Sequence, residues 1–205
     1  TGEDTLSLHD ALPICIDFSQ TLIYFIDDNF HAEYLFNRPI LSYKEFLKLD
    51  ASEKYINVAI ANSKIREKIN HQLMEDAIST FQVISDNSVI LSDITKSSGL
   101  IASPFSVISS NVEIGDSCHI GFHTSISHDC KIGNYVTFAT GARCNGNVFI
   151  EDHAYVGSGA VVKNGNSERP LIIGKGAIIG MGAVVTKDVP AGITVVGNPA
   201  KILRK

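Results

Sequence analysis

Residues 108–162 read ISSNVEIGDSCHIGFHTSISHDCKIGNYVTFATGARCNGNVFIEDHAYVGSGAVV. Stepping by six from Ile108 meets Ile114, Ile120, Ile126, Ile132, Phe138, Cys144, Ile150, Val156 and Val162, all apolar. At 44% apolar composition, ten in succession arise by chance on the order of once in several thousand trials of one frame. A second series, from Val112 through Cys118, Thr124, Cys130, Val136, Ala142, Val148 and Ala154 to Ala160, holds small or β-branched residues. A period of six is neither helical nor simple strand alternation. It is a short strand plus a turn, and three such units make one coil of about 18 residues in a β-solenoid. The frame pauses at the polar stretch Lys163–Pro170 (KNGNSERP). It resumes one residue out of step at Ile173, Ile179 and Val185, with Ala177 and Ala183 in the small series.

Working outward, all but one of the 16 glycines lie at or after Gly99, and none occurs from Glu3 to Ser98. Glycine serves tight turns and positive φ, so two regions with different backbone needs meet near residues 85–100. Glycine often follows the large series, at Gly115, Gly121, Gly133 and Gly157. The first region reads as α/β. Thr21–Ile26 is a short apolar run that exits on Asp27-Asp28, and Tyr43–Leu49 has a helical pattern. Tyr55–Ile60 is a second β-rich run, and Phe81–Ile84 a third strand. Between the last two, Asn62 and Ser63 can cap a helix over Lys64–Leu73 with Ile65, Ile69 and Leu73 on its apolar face. This alternation predicts a small parallel sheet. Thr1–Ile14 carries no clear period and no secretory pattern, and reads as a non-native extension. The expected domains are therefore 1–14 extension, 15–85 truncated α/β domain and 86–205 β-helix.

The charge balance, 22 acidic against 17 basic residues, gives a net −5. That argues against a nucleic-acid partner, whose footprint would be basic. No apolar run approaches the roughly 20 residues of a membrane span. The four cysteines, at 15, 118, 130 and 144, form no CxxC pair. The last three read as small core residues, and a cytoplasmic, reducing compartment fits them.

Within the repeat, the stretch Ser127-His128-Asp129-Cys130-Lys131-Ile132-Gly133 is followed by Gly141-Ala142-Arg143-Cys144-Asn145-Gly146-Asn147-Val148, and the chain closes on Gly197-Asn198-Pro199-Ala200-Lys201. This pattern resembles the hexapeptide left-handed β-helix acyltransferases. More narrowly, it resembles the group containing sialic-acid O-acetyltransferases and bacillosamine N-acetyltransferases. The resemblance implies a Rossmann-like α/β front followed by a left-handed parallel β-helix, assembled as a homotrimer. It implies acetyl-CoA as co-substrate, a nucleotide-linked sugar or sugar acceptor, and no metal.

His128 and Asp129 fall in a turn of the repeat. An imidazole beside a carboxylate is a good general base, because the anion favours its protonated form and can fix its tautomer. Gly146 stacks one coil after His128, where it leaves space for substrate and exposes a backbone N–H of the kind an oxyanion requires. The resemblance assigns these three to catalysis. It assigns Thr137, Gly157, Ser158, Gly180 and Met181 to the CoA arm, although the position of Thr137 is often histidine in the group. It assigns Asp27, Asp28, Ala61 and Asn62 to the acceptor. Here the chain departs from the group: the Gly-rich loop after the first strand is missing, and Ala61 replaces a glycine. Cys130 belongs to the inward series, which speaks against a nucleophile. Two other readings stand beside this one. His123 and His128, five apart, match part of a zinc site resembling that of γ-class carbonic anhydrases, but no histidine lies between His71 and His119 to supply a third ligand. A non-catalytic trimeric scaffold would also account for the lost glycines.

Overall fold

The computed structural model describes residues 22–29, 32–51, 53–94 and 96–204. The extension at 1–14, Cys15 and the start of the first apolar run lie outside them. From residue 83 onward the chain winds into a parallel β-helix. One full coil contains the strands Glu113–Ile114, His119–Ile120 and Ser125–Ile126; the next contains Lys131–Ile132, Thr137–Phe138 and Arg143–Cys144. His119 pairs with Thr137 and Thr137 with Tyr155, and the same one-coil step is repeated on all three walls. The first wall runs through His119, Thr137, Tyr155 and Ile178; the second through Val107, Ser125, Arg143 and Val161; the third through Glu113, Lys131 and Phe149. Val148 pairs with Leu171 across the polar loop, so the loop is extruded from the wall and the coil continues in register beyond it.

Both six-residue series point inward. Every member from Ile108 to Val162 is buried, as is every member from Val112 to Ala160. Burying an aliphatic side chain stabilises by roughly 1.5–3 kcal/mol, and this single column forms the core of the helix. Between strands the backbone turns a corner, and from Ile108 to Val156 the residue three after each large one adopts positive φ. Phe105, Asn111, Ser117, His123, Asp129, Tyr135, Gly141, Asn147, His153 and Gly159 do so in unbroken succession. Eight of these ten carry side chains, at a cost of about 1 kcal/mol or more for an L-residue. Most of the corner N–H groups donate to the corner one coil earlier: Tyr135 to Asp116 (2.8 Å), Gly141 to Phe122 (2.8 Å) and Asn147 to His128 (3.1 Å).

The glycines that follow the large series have a different cause from the one expected. Gly115, Gly121, Gly133 and Gly157 do not have positive φ. A Cβ on Gly121 would stand 2.8 Å from the Phe138 carbonyl oxygen, and one on Gly157 2.6 Å from that of Ile179. These glycines let successive coils stack in contact.

The expected third strand also differs. Val83–Ile84 pairs with Ile101–Ala102 and forms the first rung of the β-helix, one coil before it. The partner of Tyr55–Ile56 is Ser79–Thr80, in parallel, with helix α2 (Ser63–Glu75) as the crossover. Compact packing divides the chain between Lys54 and Tyr55 rather than near residue 85, because α2 is tied to the β-helix. Its buried face is Arg66, Asn70 and Leu73. Of the three apolar residues expected there, Leu73 is buried, Ile69 half-buried and Ile65 38% exposed. The helix docks on carbonyl-rich corners, so polar residues win that face.

The smaller unit has Phe25–Ile26 parallel and Tyr34–Leu35 antiparallel to Arg38–Leu41. Helix α1 (Tyr43–Leu47) follows, started by a Ser42–Glu45 capping box.

The two glycine roles separate experimentally. Gly121→Ala should cost about 2–3 kcal/mol, since neither carbonyl nor amide of the next coil can yield. Gly159→Ala has positive φ but open space and should cost about 1 kcal/mol. Urea unfolding at fixed protein concentration measures both, and equal losses would refute the assignment.

Candidate functional site

The corner after the second wall carries the chemistry. Its two turn positions are His128, which is exposed, and Asp129, which is half-buried; they stack on Ser110-Asn111 of the previous coil and Gly146-Asn147 of the next. Asp129 sits at φ +59°, which swings its carboxylate back toward the neighbouring imidazole. His128 Nδ1 lies 2.7 Å from Asp129 Oδ2. Asp129 Oδ1 accepts from the Asn111 side-chain amide. The Asn111 amide and then His128 hold the Asp129 carboxyl below its ordinary range. An ionised carboxylate only accepts, so the proton of a neutral His128 resides on Nδ1 and the lone pair on Nε2. His128 is 59% exposed, so that lone pair is reachable.

Gly146 lies under the ring itself. A Cβ there would stand 2.7 Å from His128 Cε1 and 2.8 Å from Nε2. The space that glycine opens is thus filled by the imidazole rather than kept for a ligand. Among the described residues nothing accepts from the Gly146 N–H. The sequence reading missed Asn111, which a step back of one coil from Asp129 would have found.

Thr137 lies on the first wall, and Ser158 and Met181 occupy the corner between the first and second walls; Met181 is 82% exposed. Gly157 and Gly180 precede them, where a Cβ would meet the next coil: the Ile179 carbonyl for Gly157, Val196 Cγ1 for Gly180. His128 and these residues stand on opposite sides of the second wall, so one chain does not bring them together. The Thr137 hydroxyl accepts from Arg66 Nη2 at 3.2 Å, a contact between residues 71 positions apart that the sequence reading did not single out.

Asp27 Oδ1 accepts from the Asn29 N–H and Asp28 Oδ1 from the Tyr43 N–H, each ordering its own loop. Asn62 caps α2, accepting from the Lys64 and Ile65 N–H groups at 3.0 and 3.3 Å. The Ala61 carbonyl is taken by Arg66.

The other coil histidines have structural surroundings. His123 stacks on Phe105 at the corner before that of His128, with centroids 5.0 Å apart. His153 stacks on Tyr135 and meets Glu67 at 3.3 Å. His119 donates from Nε2 to the Val58 carbonyl, and burial pushes it down to about 3. Among the described residues no group of three His, Cys, Asp or Glu could hold a metal ion. Cys130 is fully buried, and burial raises the Cys118 thiol to about 12. No described helix is long and apolar enough to cross a membrane.

Comparison with known proteins agrees with this architecture. The family model for bacterial transferase hexapeptide (six repeats) matches residues 111–146. A GDP-perosamine N-acetyltransferase from Escherichia coli O157:H7 is 49% identical over 187 residues, 91% of this chain and 85% of that protein. The solved structure of WeeI from Acinetobacter baumannii AYE is 52% identical with a TM-score of 0.85, covering 88% of this chain and 85% of that one. The acetyltransferase domain of PglB from Neisseria gonorrhoeae FA1090, in complex with acetyl coenzyme A, is 25% identical with a TM-score of 0.80, covering 89% and 87%.

The buried histidines make stability depend on pH. Burial lowers both His119 and His153, so the unfolded chain binds their protons first. Their contribution is complete above the unfolded value of about 6.5 and is lost as pH falls below it. Between about pH 6.5 and 5 the unfolding free energy should drop by up to about 1.4 kcal/mol per pH unit for each such histidine. His119→Gln should flatten that slope, and an unchanged slope in this variant and in His153→Gln would contradict the account.

Proposed function

The chain belongs to the hexapeptide-repeat sugar acetyltransferases, with acetyl-CoA as co-substrate, and on that premise we propose that it acetylates the amine of a nucleotide-linked amino sugar by direct transfer, with His128 as general base. The observation that carries this is the His128 ring lying over Gly146 with Nδ1 held by Asp129. That arrangement presents one lone pair, on Nε2, to an incoming proton donor. The amine nitrogen bonds to the thioester carbonyl carbon as Nε2 takes its proton. The C–S bond then breaks, and the proton passes from the imidazolium to the departing thiolate. The products are the N-acetyl sugar and free CoA. The Gly146 N–H, free of any described acceptor, is assigned to the developing oxyanion.

The proposed donor set lies on the first wall (Thr137) and on the corner after it (Gly157, Ser158, Gly180 and Met181), away from the corner of His128. This supports a homotrimer of left-handed helices in which the base of one chain faces the donor wall of its neighbour. Acceptor recognition is assigned to Asp27 and Asp28 and, separately, to Ala61 and Asn62. The similarity to a GDP-perosamine N-acetyltransferase favours a GDP-linked amine over a sialic-acid hydroxyl. A reaction on nucleotide sugars fits a cytoplasmic site of action.

A thiol-release assay with acetyl-CoA tests this against GDP-perosamine, UDP- and dTDP-amino sugars and free sialic acids. Turnover should be greatest with GDP-perosamine; donor binding without turnover on any amino sugar would overturn the reading. His128→Ala should lower kcat by roughly 10²–10⁴, the usual worth of a positioned base. Gly146→Ala should lower it by on the order of 10² through the displaced ring, while leaving the fold intact because the ring can swing into solvent. His123→Ala should be near wild type. If His123→Ala silences the enzyme and His128→Ala does not, the base is misassigned.

A further inference from the structure

Arg66 has no exposed surface and enters none of the ion pairs among the described residues. All five guanidinium N–H groups are nevertheless used. Nε donates to the Ser117 carbonyl (2.9 Å), and Nη1 to those of Ile60 (2.7 Å) and Ala61 (3.1 Å). Nη2 donates to the Tyr135 carbonyl (2.8 Å) and to Thr137 Oγ1 (3.2 Å). Burial brings the group down to about 10, which leaves it cationic at neutral pH. Four of these acceptors are carbonyls of the seam that need donors, and a lysine ammonium, with three N–H groups, could not serve them all. What the rigid fork supplies is geometry.

Four of its five acceptors are main-chain carbonyls whose positions the backbone already fixes. The fifth is a rotor. A threonine hydroxyl has one proton and two lone pairs. With a lone pair held by a cation, its proton must turn away from the guanidinium. Hydrogen bonds in a chain also polarise one another, which strengthens the hydroxyl as a donor. Thr137 sits half-buried in the strand Thr137–Phe138, whose next residue, Phe138, points into the core, so the threonine occupies the outer side of the wall.

We propose that Arg66 is a positioning residue of the donor site, setting the Thr137 hydroxyl to donate to a carbonyl oxygen of bound acetyl-CoA. This rests on the reading of Thr137 as a donor contact. Arg66 acts through Thr137 and does not itself meet the reacting atoms.

The test is a double-mutant cycle read by calorimetric acetyl-CoA affinity and by the KM of each substrate. Thr137→Val should weaken acetyl-CoA binding about tenfold, the upper worth of one neutral hydrogen bond, and leave the acceptor KM unchanged. Thr137→Ser should restore binding to within about twofold. Arg66→Lys keeps the charge without the fork and should weaken donor binding to a similar degree. In its background, Thr137→Val should cost less than about twofold more. An equal loss in both backgrounds would overturn the role of Arg66 while leaving Thr137 at the donor site. No loss from Thr137→Val in the wild type would remove the donor reading itself. Should Arg66→Lys fail to fold, the guanidinium resonances of wild-type Arg66 decide. They should shift when acetyl-CoA is added and stay in place in Thr137→Val, and silence in the wild type would overturn the proposal.

Discussion

From Phe105 to Gly159, every sixth residue turns the backbone at a corner into the left-handed region, and most of these residues donate their N–H to the corner one coil earlier. That repeated bond places equivalent corner residues directly over one another, so side chains one coil apart in sequence become neighbours. The columns that result are visible throughout: Phe105 on His123, Tyr135 on His153, Asn111 beside Asp129 and His128 over Gly146. The glycines that follow the large series serve the same stacking, since any Cβ there would strike the coil beneath. The proposed base is therefore a product of the stacking as much as of its own turn. Its ring rests where a neighbouring side chain has been omitted, and its carboxylate partner is held by an amide from the coil before.

The protein contains two kinds of interior. The β-helix core is apolar, and among the described residues no charged side chain enters it. The seam under α2 is the opposite, with Arg66 fully buried and Asn70, His119, Glu67 and His153 bonded around it. Corners and strand edges leave carbonyl groups facing the helix, and buried carbonyls demand donors. A guanidinium supplies five N–H groups at once. This explains why the turn before the helix is fixed by the same residue that touches Thr137.

On the proposed assignment, the corner of His128 and the first wall with its following corner would carry two separate tasks. Proton transfer needs an accessible lone pair, and His128 stands in solvent with its tautomer set by a carboxylate. The residues proposed for the donor, Thr137 on the first wall and Gly157, Ser158, Gly180 and Met181 on the corner after it, lie elsewhere. Because the second wall lies between them, the fold places the two on different corners of one chain.

Repetition made the β-helix legible in the sequence. A core residue recurring every six positions has few physical realisations, so the period alone fixed coil length, the inward series and the turn position of His128 and Asp129. The loop at Lys163–Pro170 and the one-residue slip after it were legible for the same reason. Stacking by one coil brought Gly146 to His128, though not the fact that the ring itself fills the space. Other features depended on contacts between segments far apart in the chain, which no local pattern encodes. Val83–Ile84 looked like a strand of the α/β front, but its partner one coil later made it a rung of the helix. Ile65 and Ile69 marked a face of α2 that the docked helix leaves partly open, because the surface it meets is lined with carbonyls rather than methyl groups. Arg66 carried no signal in the sequence, and only the tertiary structure, by closing carbonyls from distant segments around it, engaged every donor of its guanidinium.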